Sequence, residues 1–156
     1  MSTSLKKLHI FILLIAITSL ISAYFVEYVM ALAACPLCIY QRFPYLLLIM
    51  ISIIGLNGDR SLKKYYIITF LISILIASYH TGIERGIFEL SVFCKPLVSI
   101  SDSFSIMDFK NLLYNENIGM CNKPALMIFG FSMAEWNLCL NIIFLFSIIF
   151  IKIKRE

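Results

Sequence analysis

Four long apolar runs, separated by polar stretches, order the chain. The first extends from Leu8 to Met30 and is broken only by Glu27. The second has an uninterrupted core of 14 residues, Phe43 to Leu56, whereas a spanning helix needs about 20. Starting that helix at Pro36 adds two turns and gives 21 residues, roughly 32 Å at 1.5 Å per residue. The third run is Tyr65 to Gly82, 18 residues, and the fourth Ala125 to Ile151, 27 residues. The last is long enough that it must tilt or begin outside the hydrocarbon. Backbone groups in lipid must be bonded within their own segment, so these runs are helices. Barrel strands would alternate in polarity, and "FLISILIAS" does not. The pattern predicts one all-α membrane domain over 1–156. Its four transmembrane helices cover about 8–30, 36–57, 65–82 and 125–151, and its outer loops about 31–42 and 83–124.

Composition strengthens this reading. The chain is 61% hydrophobic and 14% charged, against roughly half and a quarter in a soluble domain. There is too little polar surface to cover a water-soluble body. The net charge of +4 sits in small clusters at the ends of the apolar runs. No basic face of the kind nucleic-acid binding needs is present; the lysines report topology instead. Lys6 and Lys7, then Arg60, Lys63 and Lys64, then Lys152, Lys154 and Arg155 share one side. The positive-inside rule makes that side the cytoplasm and places both termini there.

The outer loops carry the chemistry. Cys35, Cys38, Cys94 and Cys121 all fall on that side, where disulfides persist. Cys139 lies within the fourth run and is expected to be a packed apolar side chain. In the second loop, "SDSFSIMDFKNLLYNE" (101–116) reads as a short amphipathic helix. Ser105 and Asp108 suit a capping box, and Ile106, Phe109, Leu112 and Leu113 form one apolar face, which either lies along the membrane surface or packs as an ordinary loop helix.

The stretch "ALAACPLCIYQRFPY" (31–45) admits three chemistries. A lipoprotein cleavage box fails, because Cys35 is far from the start, Glu27 interrupts the preceding run and three more spans follow. A zinc site needs more ligands than one CxxC: Cys94 and Cys121 are 27 positions apart, and His80 is the only outer-side histidine. A redox dithiol fits the local pattern. Pro36 suits the first position of a helix, which makes Cys35 its N-cap at the positive end of the dipole. Cys38 and Arg42 then follow on the same face. The guanidinium either stabilises a Cys38 thiolate or a bound anionic acceptor, or simply anchors a helix end. Cys94 and Cys121 either brace the loop with a structural disulfide or form a second, exchangeable pair.

"CPLCIYQR" resembles the first-loop motif of the DsbB family, quinone-dependent disulfide oxidases of the bacterial inner membrane. "YHTGIE" (79–84), the Cys94 and Cys121 positions, and "FGFSMAEWN" (129–137) are similar to further family elements in the same order. One departure is Glu135, where a small or neutral residue is expected; it is read as interfacial beside Trp136. The resemblance implies that the cysteine loops are periplasmic. It also implies that a DsbA-like thioredoxin-fold oxidase attacks a Cys94–Cys121 disulfide, with Cys94 forming the mixed disulfide. Cys121 would exchange with Cys35, and Cys38 would pass electrons to ubiquinone or menaquinone held near Arg42, Gln41 and His80. DsbA stands at about −120 mV against about −270 mV for thioredoxin, so only a still stronger oxidant can reoxidise it, and a bilayer quinone is the acceptor to hand. His80 and Glu84 are candidates to move protons, or else a helix-end ion pair with Arg85 or a loop residue. Glu27 reads as a helix-end residue. The competing expectation is a non-enzymatic membrane protein whose four cysteines hold zinc or brace its loops.

Overall fold

A computed structural model describes residues 3–58, 62–89, 94 and 120–150. The amphipathic helix expected over 101–116 lies outside them, as do Arg60, Lys152, Lys154 and Arg155. Helix α1 spans Thr3–Tyr24 and continues into a π-helical turn, Phe25–Val29; α2 is Pro36–Asn57 and α3 Lys63–Glu84. A two-residue hairpin, β1 (Met127–Ile128) and β2 (Phe131–Ser132), leads into α4, Met133–Phe150. The chain is a four-helix membrane protein: all four helices are long and apolar enough to cross a bilayer.

The outer faces of the helices carry Phe11, Leu14, Ile21, Phe43, Met50, Leu75 and Phe146, all exposed. The inner faces bury smaller or more polar groups. On α1 the buried line is Leu8, Ile12, Ala16 and Leu20, spaced by four; Ser52 and Gly55 of α2 and Ser73 and Ala77 of α3 are buried too. Lipid is as apolar as leucine, so helices in it associate through close backbone approach and interhelical hydrogen bonds, which small and polar side chains supply. At the end distant from the cysteines, His9 Nδ1 lies 2.7 Å from the Tyr66 hydroxyl, which donates to Ser52 Oγ at 3.1 Å. That triad ties α1, α2 and α3 together. Phe11 of α1 meets Phe144 of α4 at the same end, with ring centroids 6.2 Å apart.

The fourth run departs from its expected helix over 125–151. Phe129 and Gly130 both have positive φ, 53° and 81°, which suits a two-residue hairpin turn of the primed type. Helix α4 begins after Ser132, whose Oγ accepts from the Glu135 N–H at 3.2 Å while Glu135 Oε2 accepts from the Ser132 N–H at 2.8 Å. This reciprocal capping box starts the helix eight residues later than hydrophobicity alone suggested. Trp136 Nε1 donates to the Ile128 carbonyl at 3.0 Å and pins the hairpin to the helix. Cys139 also departs from expectation. It is exposed on the outer face of α4 and not packed in the bundle, because the inner face there belongs to Asn137 and Asn141.

At Gly55 of α2 the His9 side chain of α1 fills the space a Cβ would need. A Cβ there would stand 2.4–2.7 Å from three ring atoms of His9. Gly55→Ala is therefore expected to destabilise the bundle by about 1–3 kcal/mol, the usual cost of overpacking. The same change at Gly58, where the nearest atom is 3.5 Å away, is expected to have little effect. Thermal unfolding of the two variants in detergent checks this.

Candidate functional site

Four elements converge at one end of the bundle. Pro36 is the first residue of α2, and Cys35 caps it with extended backbone, its sulfur accepting the Cys38 N–H at 3.2 Å. One helical turn therefore sets the two sulfurs 2.7 Å apart as free thiols. Their partner is on another helix: His80 of α3, 2% exposed, puts Nε2 3.4 Å from Cys35 Sγ and 3.6 Å from Glu84 Oε1. The Cys38 side chain and burial push the Cys35 thiol well above its ordinary pKa.

A chain of amides fixes the imidazole. Asn137 Nδ2 donates to Gln41 Oε1 at 3.0 Å, which leaves the Gln41 amide nitrogen to face His80 Nδ1, also at 3.0 Å. Nδ1 must then accept, and the ring proton sits on Nε2, directed at Cys35. Asn137 is itself held. Its Oδ1 accepts from the Tyr45 hydroxyl and from Asn141 Nδ2, and Asn141 also donates to Tyr45 at 3.1 Å. The whole array spans α2, α3 and α4 and is largely buried.

Arg42 stands apart from this array. Its Nη1 pairs with Glu27 Oε2 at 2.5 Å, and its guanidinium lies over the Tyr24 ring, 4.7 Å from the centroid. The π-helical turn after α1 carries Glu27 to this place. Arg42 Nε is buried and has no hydrogen-bond partner. A cavity of about 360 Å³ opens beside it, walled by all four helices and bordered by Cys38, Gln41, Arg42, Tyr45, His80 and Trp136. Most of its surface is apolar. On the opposite side, Cys35 packs in one buried cluster with Leu37, Ile83 and Cys121, and Cys38, Tyr79 and Cys94 lie against it.

All seven residues singled out from the sequence thus gather at one end: Cys35, Cys38, Cys94 and Cys121 in the sulfur cluster, and Gln41, Arg42 and His80 around it. Two expectations change. Glu27 is the counter-ion of Arg42 rather than only a helix-end residue. Arg85 pairs with Glu135, Nη2 to Oε1 at 2.5 Å, which leaves Glu84 to Ser132 and His80. Asn137, Asn141 and Tyr45 were not picked out from the sequence. The available signal was two asparagines four apart in an otherwise apolar span, which calls for buried partners.

Comparison with known proteins identifies the family. Residues 6–151 match the family model for disulfide bond formation protein DsbB. The chain belongs to the DsbB family. Among relatives, the uncharacterized protein RP370 of Rickettsia prowazekii is 43% identical over 93% of this chain and 88% of its own length. Disulfide bond formation protein B 1 of Pseudomonas putida is 28% identical over 80% of this chain and 76% of its own. The protein of the same name from Pseudomonas fluorescens strain Pf-5 is 30% identical over 74% and 70%. No solved structure matches significantly. DsbB membership makes this a disulfide-forming, multi-pass membrane protein.

Asn137 makes two interhelical side-chain hydrogen bonds, to Gln41 and Tyr45, and one within α4, to Asn141. Each interhelical bond in a membrane averages about 0.6 kcal/mol. Asn137→Ala is expected to cost about 1–2 kcal/mol, and Ile143→Ala on the exposed face clearly less, by unfolding in mild detergent.

Proposed function

We infer that this DsbB-family chain is the oxidase that keeps a periplasmic DsbA-like thioredoxin-fold protein oxidised and delivers the electrons to a membrane quinone. The observation that carries the reading is the position of the Cys35–Cys38 pair. Cys35 packs in one cluster with Cys121, against which Cys38 and Cys94 lie, and Cys38 also borders, with Arg42, an apolar cavity. A cavity of about 360 Å³ lies within the usual range for small-molecule sites. Its one unpaired buried donor, Arg42 Nε, suits a quinone carbonyl. Cys38, Gln41, Arg42 and Trp136 would border that ring, and the quinone, when bound, supplies a two-electron, two-proton acceptor.

The protein's own steps are thiol exchange. A partner thiolate attacks the Cys94–Cys121 disulfide; a bond forms to Cys94 and Cys121 leaves as thiolate. The partner's second thiol then displaces Cys94, so the partner is oxidised and the Cys94/Cys121 pair holds the two electrons. Cys121 next attacks Cys35 of a Cys35–Cys38 disulfide and Cys38 leaves as thiolate; Cys94 then attacks Cys121, re-forming Cys94–Cys121 and releasing Cys35 as thiolate. The dithiol Cys35/Cys38 now carries both electrons at the cavity wall. His80 Nε2–H, held by Gln41 and Asn137, is placed to hydrogen-bond a Cys35 thiolate and to manage its proton. The cysteine end faces the periplasm in this reading and both termini the cytoplasm. Exposed Lys6, Lys7 and Lys64 at the opposite end support it.

Proteoliposomes carrying the chain are expected to reoxidise a reduced DsbA-like protein only when quinone is supplied. Replacing Cys35 and Cys38 together by Ser should abolish that oxidation, and unchanged activity would sink the proposal. Cys94→Ser is expected to lose turnover with the partner while its Cys35–Cys38 pair stays quinone-reactive. Arg42→Lys keeps the Glu27 pairing but deletes the Nε donor. It is expected to raise the quinone KM about tenfold, one hydrogen bond's worth at 1.4 kcal/mol per decade, with the partner KM within twofold. A change confined to the partner KM refutes the role given to Arg42.

A further inference from the structure

A second cavity, of about 230 Å³, adjoins the first and shares Cys38, His80 and Glu84 with it, but reaches Cys35 as well. Its wall includes Cys35, Cys38, His80, Glu84 and Met120. The ligand atoms of Cys35, Cys38 and His80 all lie within 4.8 Å of one another. From the sequence, one CxxC lacked further ligands for a metal; the packing of α3 on α2 supplies the histidine. We propose that the reduced Cys35–Cys38 pair and His80 form a redox-gated site for a zinc-class cation.

The dimensions suit it. Tetrahedral zinc with bonds of about 2.3 Å to sulfur and about 2.05 Å to nitrogen sets sulfur and nitrogen ligands about 3.6 Å apart and two sulfurs about 3.7 Å apart. Cys35 Sγ and His80 Nε2 already stand 3.4 Å apart, while the two sulfurs, at 2.7 Å, must open by about 1 Å. A water takes the fourth position. Binding displaces the two thiol protons and moves the imidazole proton from Nε2 to Nδ1. A turn of the Gln41 amide, which gives up its present bond from Asn137, lets Gln41 Oε1 accept from Nδ1–H, the second-sphere bond that ligating histidines require.

Disulfide sulfurs are not ligands of this kind, so the site exists only after the pair has been reduced. Zinc bound there holds both sulfurs and blocks their reoxidation; this consequence rests on the proposed oxidase cycle, whereas binding itself does not.

The test is equilibrium dialysis of the full-length chain in detergent against Zn²⁺, after phosphine reduction and removal of the phosphine. One equivalent is expected on the reduced protein and none on the oxidised one. With Co²⁺ in place of zinc, the reduced protein should show thiolate-to-cobalt charge-transfer and tetrahedral d–d absorption. His80→Ala should weaken binding at least about tenfold, while the Cys94→Ser/Cys121→Ser double variant binds as the wild type does. No stoichiometric binding, equal binding to the oxidised form, or undiminished binding by folded His80→Ala overturns the proposal. So does loss of binding in the double variant, which would mean a four-cysteine site. Should His80→Ala fail to fold, X-ray absorption at the zinc edge of the wild type decides. Two sulfurs with lighter ligands support the site, and a four-sulfur shell refutes it.

Discussion

The cysteine end of the bundle depends on the hydrogen bond between Gln41 and His80. It joins α2 to α3 in a region that offers few other polar partners, and it selects the imidazole tautomer. Because Gln41 Oε1 is already committed to Asn137, only the amide nitrogen is left for His80. The proton on Nε2, and with it the contact to Cys35, follows from an amide on a third helix. An unpaired buried polar group in hydrocarbon is costly, so the array has few arrangements open to it. That scarcity is what makes the dithiol's surroundings definite.

The charged groups are handled differently. Arg42 lies near the edge of the span, where Glu27 and the Tyr24 ring compensate its charge in part. One donor is left over, and it borders the larger cavity. The π-helical turn matters here. Regular α-helix beyond Tyr24 would rotate Glu27 by a different angle, and π-turns of this kind are frequent at functional sites. Two adjoining cavities then meet at Cys38, His80 and Glu84, a larger apolar one extending toward Arg42 and a smaller one reaching Cys35 and Met120. The first suits a ring-shaped electron acceptor and the second suits attack or capture from the loop side.

Much of this was legible in the chain. The four apolar runs gave the number of helices, since length and hydropathy suffice where every backbone group must be bonded within its own segment. Pro36 and Cys35 could be read as helix start and cap from local rules alone. The fourth helix was misread because hydrophobicity continues through Met127–Phe131, and the chain uses it for a hairpin. The turn signal, Phe129–Gly130, is weak without its backbone angles. Cys139 was misplaced for a related reason: in an all-apolar span, composition does not say which face is inward.

The membrane architecture, the CxxC at a helix start and the family resemblance follow from the chain alone, because each rests on local spacing or bulk composition. Which groups meet follows from how the helices pack. Arg42 finds Glu27, 15 residues earlier in the chain; Cys35 finds His80, 45 residues later; and Gln41 finds Asn137, 96 residues later. Those pairings depend on the rotation of each helix about its axis, which small-residue contacts and buried hydrogen bonds set and which no single span encodes.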